Sequence, residues 1–302
     1  MKFQLLARGL YKWQDPRDIL AFARAAEQLG FESFDVGDHV VVPDQTSSAF
    51  PYSADGKGGP HYPSHPYHDP WTMLAYVAAA TERIRLSTGI YILPMRKPML
   101  TAKTVATVDL LSQGRVTMGI GVGWIKEEFE AIGEPFERRG KRTDEIIGIV
   151  RRLWTEDTVE HHGEFYSFGP VKMTPKPVQR PIPIHYGGIS AAAIQHAATL
   201  CDGWITVPGI WGQKDIFETL EDTKRQIANM TEQRKRAGRD HLPFEITGRI
   251  PMQATLDDLR RREEAGMTRF RVVPWGSAYD IPALPGAIES LERFAATYLQ
   301  RV

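Results

Sequence analysis

Two short runs in this 302-residue chain bring together side chains suited to chemistry. Asp38-His39 sets a carboxylate acceptor beside an imidazole that donates, accepts or carries a proton near neutral pH. Strand-end Asp and His residues also serve simply to satisfy loop backbone groups, so the letters leave both uses open. Gly187-Gly188-Ile189-Ser190 leads directly into Ala191-Ala192-Ala193-Ile194. Bare amides, an N-capping hydroxyl and a helix dipole converge there, as an anion such as phosphate requires. An ordinary turn and N-cap would be spelled the same way. Gly119-Ile120-Gly121-Val122-Gly123 imitates a dinucleotide fingerprint, but Trp124 stands where the third glycine belongs, so the Rossmann pattern fails. Glycines at these places would let a planar ring approach the strand closely, and relief of crowding at a barrel rim is a plainer use compatible with it.

Other candidates are weaker. His61, His65 and His68 have no evident carboxylate partners, and His161-His162 lies elsewhere, so no metal site is expected. Arg138-Arg139 and Lys141-Arg142, followed by Asp144-Glu145, read as a solvated helix start with local ion pairs, an anionic tail being the other use. Trp13, Trp71, Trp124, Trp211 and Trp275 suit an apolar pocket or plain packing.

The elements that must position these residues alternate along the chain. Strand candidates span Phe3 to Ala7, Phe31 to Val36, Ile84 to Ile90, Val116 to Gly121, Ile182 to Tyr186, Gly203 to Val207, Phe244 to Ile250 and Arg269 to Val273. Helical spacing separates them: Ile19, Phe22, Ala23, Ala26 and Leu29 form one stripe, and Ile146, Val150, Leu153 and Trp154 another. Asp15-Pro16, Asp69-Pro70 and Thr255 mark helix starts, and Gly30, Gly114 and Gly266 mark stops. Eight strand–helix units in one domain spanning residues 1–302 predict an α/β fold, a (β/α)8 TIM barrel. Active sites of such barrels form at the C-terminal strand ends, where Asp38-His39, Thr88-Gly89-Ile90, Gly121-Val122-Gly123, Gly187 to Ser190 and Pro274-Trp275 all fall. Two segments exceed the repeat. Val40 to Asp69, after the second strand, reads as a lid or equally as a dimer arm, and Thr155 to Arg180, before the fifth, as a Pro-rich insertion packed through His161, Tyr166 and Phe168.

Composition narrows the partners. With 37 Lys+Arg against 37 Asp+Glu there is no overall pull toward nucleic acid or anionic membrane. The single cysteine, Cys201, forms no internal disulfide and fits a reducing compartment. The N-terminal apolar run is too short for a secretory signal, and no stretch approaches the roughly 18 apolar residues of a membrane span. A soluble, cytoplasmic protein is expected.

The motifs resemble the luciferase-like flavin/deazaflavin oxidoreductases, in particular the subgroup using coenzyme F420. The resemblance runs over roughly Ile19 to Trp204, through Phe31 to Val40, Tyr52, Asp55-Gly56-Lys57, Asp69-Pro70, Ile84 to Pro94, Ala106 to Arg115, Gly119 to Trp124, Glu128-Phe129, Arg139 to Arg142, Pro175 to Pro177, Gly187 to Ser190 and Cys201 to Trp204. It implies a luciferase-like TIM barrel, a homodimer, and a tricyclic ring at the barrel mouth. By position, Asp38 would contact the ring and His39 would act near its reactive face in proton transfer or substrate orientation. Thr88, Gly89 and Ile90 would form the bulge behind the ring, often with a cis peptide at Gly89-Ile90. Gly121 and Gly123 would lie against the cofactor, and Gly187, Gly188, Ile189 and Ser190 would hold its phosphate. The chain departs from the pattern at Trp124, where several F420 dehydrogenases carry a glutamate, and at Pro43, where a tryptophan is usual. Glu127 and Glu128 follow on the next helix and receive no catalytic role.

The resemblance implies hydride transfer between F420 and a small organic substrate, with His39 managing the proton. Deazaflavin reacts poorly with oxygen, so an oxidoreductase is expected. The alternatives are a two-component monooxygenase using FMN reduced by a partner reductase, and a non-catalytic deazaflavin-binding protein.

Overall fold

Eight parallel strands close on themselves in the computed structural model, which describes residues 1–50, 67–206, 219–250, 254–276 and 280–300. They are β1 (Phe3–Leu6), β2 (Ser33–Val36), β3 (Arg85–Thr88), β5 (Val116–Gly121), β8 (Ile184–Gly187), β9 (Gly203–Ile205), β10 (Glu245–Arg249) and β11 (Arg269–Val272), adjacent in that order, with β11 pairing back onto β1. Each of the eight expected strands is present within a few residues of its predicted ends. The short β4 (Tyr91–Ile92) extends the wall by pairing with β5 beyond the end of β3.

The helices form where capping chemistry allows. Asp15 accepts from the Arg17 amide at 2.9 Å to start α1 (Pro16–Leu29), and Asp69 accepts from the Thr72 amide at 2.8 Å to start α2 (Pro70–Ala78). α1 buries the Ile19, Phe22, Ala23 and Ala26 stripe and ends at Gly30, whose φ of 93° frees the chain for β2. Then follow α3 (Pro98–Leu111), α4 (Lys126–Ala131), α5 (Arg139–Thr155), α6 (Ala191–Leu200), α7 (Leu220–Arg236), α8 (Leu256–Glu264) and α9 (Leu284–Phe294). No helix among the described residues is long and apolar enough to cross a membrane.

The insertion before β8 is an antiparallel hairpin, β6 (Val159–His162) and β7 (Ser167–Val171), which the sequence reading did not contain. Glu145 of α5 ties it down, accepting from the Phe165 and Tyr166 amides at 3.0 and 2.8 Å and from His161 Nε2 at 3.0 Å.

Apolar and polar faces alternate along the strands. Phe3, Leu5, Phe34, Leu86, Met118, Ile184, Trp204, Ile246, Phe270 and Val272 are buried in the core shared with the helices. The opposite face carries Gln4, Asp35, Ser87, Thr117, His185, Thr247, Arg269 and Arg271, all buried. Gln4 Nε2 donates to Ser87 Oγ at 3.0 Å, Ser87 Oγ to Asp35 Oδ1 at 3.0 Å, and Arg271 Nε to Asp35 Oδ2 at 3.1 Å. Deeper down, Arg269 bridges Glu32 and Glu245 at 2.7 and 2.8 Å. The interior is thus an ionic and hydrogen-bonded lattice instead of the branched aliphatic layers usual in such barrels.

Candidate active site

At the C-terminal mouth lies a cavity of about 1220 Å³, lined from all sides of the barrel. Each wall is traceable to local structure.

On the β2 side, the chain leaves Val36 and presents Asp38 and His39. Asp38 is buried, and Arg96 grips its carboxylate from two nitrogens at 2.5 and 2.7 Å while the Ile92 amide donates to it at 2.8 Å. Burial pushes the Asp38 carboxyl above its ordinary value, opposed by the Arg96 guanidinium. Its oxygens therefore serve the protein, locking the β2 exit to β4, and any ring contact falls to other atoms of the residue. His39 follows, 9% exposed, with Nδ1 2.8 Å from Glu128 Oε2; the same carboxylate, 1% exposed, accepts from the Val40 amide at 2.7 Å. A carboxylate only accepts, so Nδ1 carries the hydrogen and the tautomer is set. Tyr67 meets the imidazole edge-on at 4.8 Å.

Glu128 is the residue the sequence reading passed over, and the structure corrects that. Gly123, with φ of 71°, turns the chain so that the first turn of α4 faces back toward the β2 loop. Its neighbour Glu127 accepts from the Ser47 amide and hydroxyl at 2.6 and 2.7 Å, from Ser48 Oγ at 2.7 Å and from Thr46 Oγ1 at 2.9 Å. Desolvation opposes ionisation, yet the Ser48 and Ser47 donors hold this carboxyl far below the usual range. Two consecutive acids thus fasten the described start of the long loop. Phe50 and Trp124 meet edge-on at 5.3 Å above them. Tyr52, His61, Tyr62 and His65 lie outside the described residues, as does Trp211. Among the described residues no cluster suits a metal ion.

Behind the cavity is the Gly89–Ile90 peptide, which is cis. Gly89 O accepts from Arg8 Nη2 at 2.8 Å and Arg271 Nη2 at 3.0 Å, and Arg271 is fixed in turn by Asp35. A Cβ at Gly89 would fall 1.7 Å from Arg271 Nη2, so no larger residue fits. Thr88 is fully buried, donating to Gly119 O at 2.7 Å; it backs the bulge and does not line the cavity. The rim glycines also take a definite meaning. Cβ atoms at Gly121 and Gly187 would stand 2.6 and 2.5 Å from Ile90 side-chain carbons, and one at Gly119 would be 1.9 Å from Thr88 O. They make room for the bulge and for Ile90, which becomes the apolar ledge of the cavity, so they do relieve crowding at the rim, a use compatible with close approach of a ring.

Beyond β8, Gly187, Gly188, Ile189 and Ser190 line the cavity with Ala192 of α6. Ser190 Oγ caps the helix, accepting from the Ala193 amide at 3.2 Å, and the first amides of α6 lie at its positive end. Arg138 and Arg139 complete this wall. Arg138 pairs with Glu164, whereas Arg139 Nε donates to Gly123 O at 3.1 Å and stacks 3.7 Å over Phe136. Burial lowers the Arg139 guanidinium from its ordinary value. The expected solvated run is thus only partly so: Arg142 is buried and donates to Pro94 O at 3.2 Å and to Pro135 O. Of the tryptophans, Trp124 and Trp275 line the cavity, while Trp13 and Trp71 pack into the core.

The arrangement combines an oriented imidazole, an apolar ledge and the capped N-terminus of α6 in one space of about 1220 Å³, somewhat larger than most single-ligand pockets of roughly 300–1,000 Å³. It brings together every sequence-selected site residue except Thr88. Arg271 and Glu128 were missed. Alternation in Arg269-Phe270-Arg271-Val272 points both arginines inward and was a readable signal for the first.

Comparisons with known proteins agree with this frame. A family model for luciferase-like monooxygenases matches residues 2–280. An uncharacterized protein of Mycobacterium tuberculosis is 36% identical over 286 residues, covering 94% of this chain and 95% of its own. The FMNH(2)-dependent dimethylsulfone monooxygenase of Pseudomonas putida is 38% identical over 201 residues, 64% of this chain and 50% of that protein. The F420-dependent glucose-6-phosphate dehydrogenase of Amycolatopsis mediterranei is 28% identical over 242 residues, 75% and 67%. Among solved structures, monooxygenase RslO1 from Streptomyces bottropensis superposes with a TM-score of 0.74 at 22% identity, covering 100% and 99% of the two chains. The coenzyme F420 dependent tetrahydromethanopterin reductase of Methanopyrus kandleri gives 0.70 at 16% identity, covering 99% and 98%; both likenesses concern the fold. With the family model spanning nearly the whole barrel, this chain belongs to the luciferase-like monooxygenase family.

Proposed function

We propose that this protein is an F420-dependent oxidoreductase that moves a hydride between the deazaflavin and a small organic substrate. The observation that carries the reading is the cationic wall beside the cradle. Arg138 and Arg139 extend the anion site past the α6 N-terminus, which suits a cofactor whose phosphate is followed by further carboxylates. The residues present fit the group: the Ile90 ledge is apolar, the cradle offers amides, and the cavity has room for a ring and a substrate together.

Bound F420 would supply the hydride-carrying ring carbon; the protein supplies position and the proton. Glu128 keeps hydrogen on Nδ1 of His39, so Nε2 is the ring atom through which a proton is exchanged. The Asp38–Arg96 pair fixes the segment from which His39 projects. Arg8 and Arg271 hold Gly89 O and so keep Ile90 in place as a backstop. Phe50, Tyr67 and Trp124 bring aromatic surface over the mouth and exclude water.

The second reading, an FMN-dependent two-component monooxygenase, draws support from the Pseudomonas putida relative. Calorimetric titration with F420 and with FMN, each oxidised and reduced, separates the two. Micromolar F420 binding with no measurable FMN affinity is expected; the reverse result overturns the proposal.

A further inference from the structure

Resting on that reading, we infer that the substrate bears an anionic oxygen group, a carboxylate or a similar oxyanion, and that Arg249 binds it on the wall opposite the Ile90 ledge. Around the cavity every other arginine already has a partner within the protein, and Arg138 and Arg139 stand at the cradle besides. Arg8 and Arg271 donate to Gly89 O, Arg138 pairs with Glu164, Arg139 donates to Gly123 O, and Arg293 bonds Glu289 and Ser290. Arg249 lines the same cavity, is half-buried, and its side chain has no hydrogen bond or ion pair among the described residues. The described lining contains one carboxylate, Asp38, and Arg96 and the Ile92 amide already occupy it. A half-buried guanidinium that faces the cavity with no counter-charge beside it among the described residues is a binding group open to an anion.

Its place in the fold separates it from the cofactor cradle. Arg249 ends β10 in register with Arg271 of β11, whereas the cradle follows β8, two strands away around the barrel. β3, which carries the Ile90 bulge, lies four strands from β10 in the eight-strand circuit and so faces it across the mouth. A ring resting on Ile90 with its phosphate at Ser190 would leave the β10 and β11 ends for the substrate. Ile250, Val273, Pro274 and Trp275 form the apolar surroundings there, and the buried indole Nε1 of Trp275 has no acceptor among the described residues, a second donor on that wall. The combination selects a compact apolar body with one anionic head.

The test uses 3-phenylpropanoate and its neutral isostere 3-phenylpropanamide, titrated calorimetrically into the whole chain with and without saturating F420. In the wild type the carboxylate should bind about ten- to a hundredfold more tightly than the amide, the range for one charge-assisted contact. Arg249→Gln should bring the ratio to about one, Arg249→Lys should keep part of it, Arg139→Gln should keep all of it, and F420 affinity should stay within about twofold in the Arg249 variants. The inference is overturned if the wild type shows no carboxylate preference, if no carboxylate binding is seen at about 10 mM, or if Arg249→Gln keeps the preference. Loss of F420 affinity in Arg249→Gln also overturns it, assigning the arginine to the cofactor tail. Should no variant bind F420, the oxidoreductase reading fails alone, and the cofactor-free titration still decides the role of Arg249. Arg249→Lys decides it too if the glutamine variant does not fold.

Discussion

Replacing Glu128 by glutamine changes one atom's hydrogen-bonding sense and little volume, which makes it a sharp probe of the site. In the wild type both oxygens accept, one from His39 Nδ1 at 2.8 Å and one from the Val40 amide at 2.7 Å, in a place 1% exposed. The side-chain amide that replaces the carboxylate can satisfy only one of these donors. If its oxygen stays on Val40, its NH2 faces Nδ1, and the imidazole must move its hydrogen to Nε2; if the amide flips, two donors collide at Val40 instead. Each charge-assisted bond contributes about 1.5–3 kcal/mol, and losing one in a buried place should lower stability by about that much. The chemical cost is larger, because a fixed wrong tautomer removes the proton-exchanging group. kcat should fall about a hundred- to ten-thousandfold, with KM changed little. The assay pairs steady-state reduction or oxidation of F420 with nitrogen NMR of the His39 ring, which reads the tautomer with no substrate present. If Glu128→Gln leaves hydrogen on Nδ1 and kcat within about threefold of wild type, the orienting role is wrong.

Three further outcomes follow from the same geometry. Arg139→Gln should weaken F420 binding about tenfold and cost about 1 kcal/mol of stability through the lost bond to Gly123 O, and Ser190→Ala should likewise cost about 1 kcal/mol through the lost helix cap; unchanged affinity in both, measured by titration, would reduce the cradle to an ordinary turn. Gly187→Ala places a methyl 2.5 Å from Ile90 and should destabilise by about 1–3 kcal/mol, with Ile90→Ala in the same chain restoring much of the loss; additive effects in urea denaturation would contradict the notch. His185 is buried and, through desolvation and then the charge of Arg269, is pushed down to about 3. The unfolded chain therefore binds more protons between its ordinary value and about 3, so stability is full above about 6.5 and falls as pH drops through that window, by at most about 5 kcal/mol. His185→Gln should flatten this acid limb of a denaturation-midpoint profile, and an unchanged limb would place the titration elsewhere.

Much of this was legible in the letters, and the failures share a cause. The strands could be read because apolar alternation is local, as in Phe3-Gln4-Leu5 and Phe270-Arg271-Val272. Asp15, Asp69 and Thr255 announced helix starts because a cap acts within three residues. The β6–β7 hairpin escaped notice because its residues are largely exposed and what secures it, Glu145, sits on a helix and bonds residues 16 to 21 positions away in sequence. What crowds the glycine rim is not visible locally, because the side chain that fills it, Ile90, comes from a different strand end. Glu128 was passed over for the same reason: the direction of a helix's first turn depends on the left-handed Gly123 and on a loop that approaches from 80 residues earlier.

The ionic interior has an implication for how such a site adapts. Asp35 braces Arg271 from beneath, Arg271 braces Gly89, and Ser87 and Gln4 tie Asp35 to two more strands. The Gly89–Ile90 wall of the cavity is thereby anchored to a scaffold in which altering either Asp35 or Arg271 alone strands the other's charge away from water, at a cost of about 3–5 kcal/mol. New reactions are consequently hard to obtain by remodelling the stave side of the mouth, and innovation is channelled into the connections that overhang it.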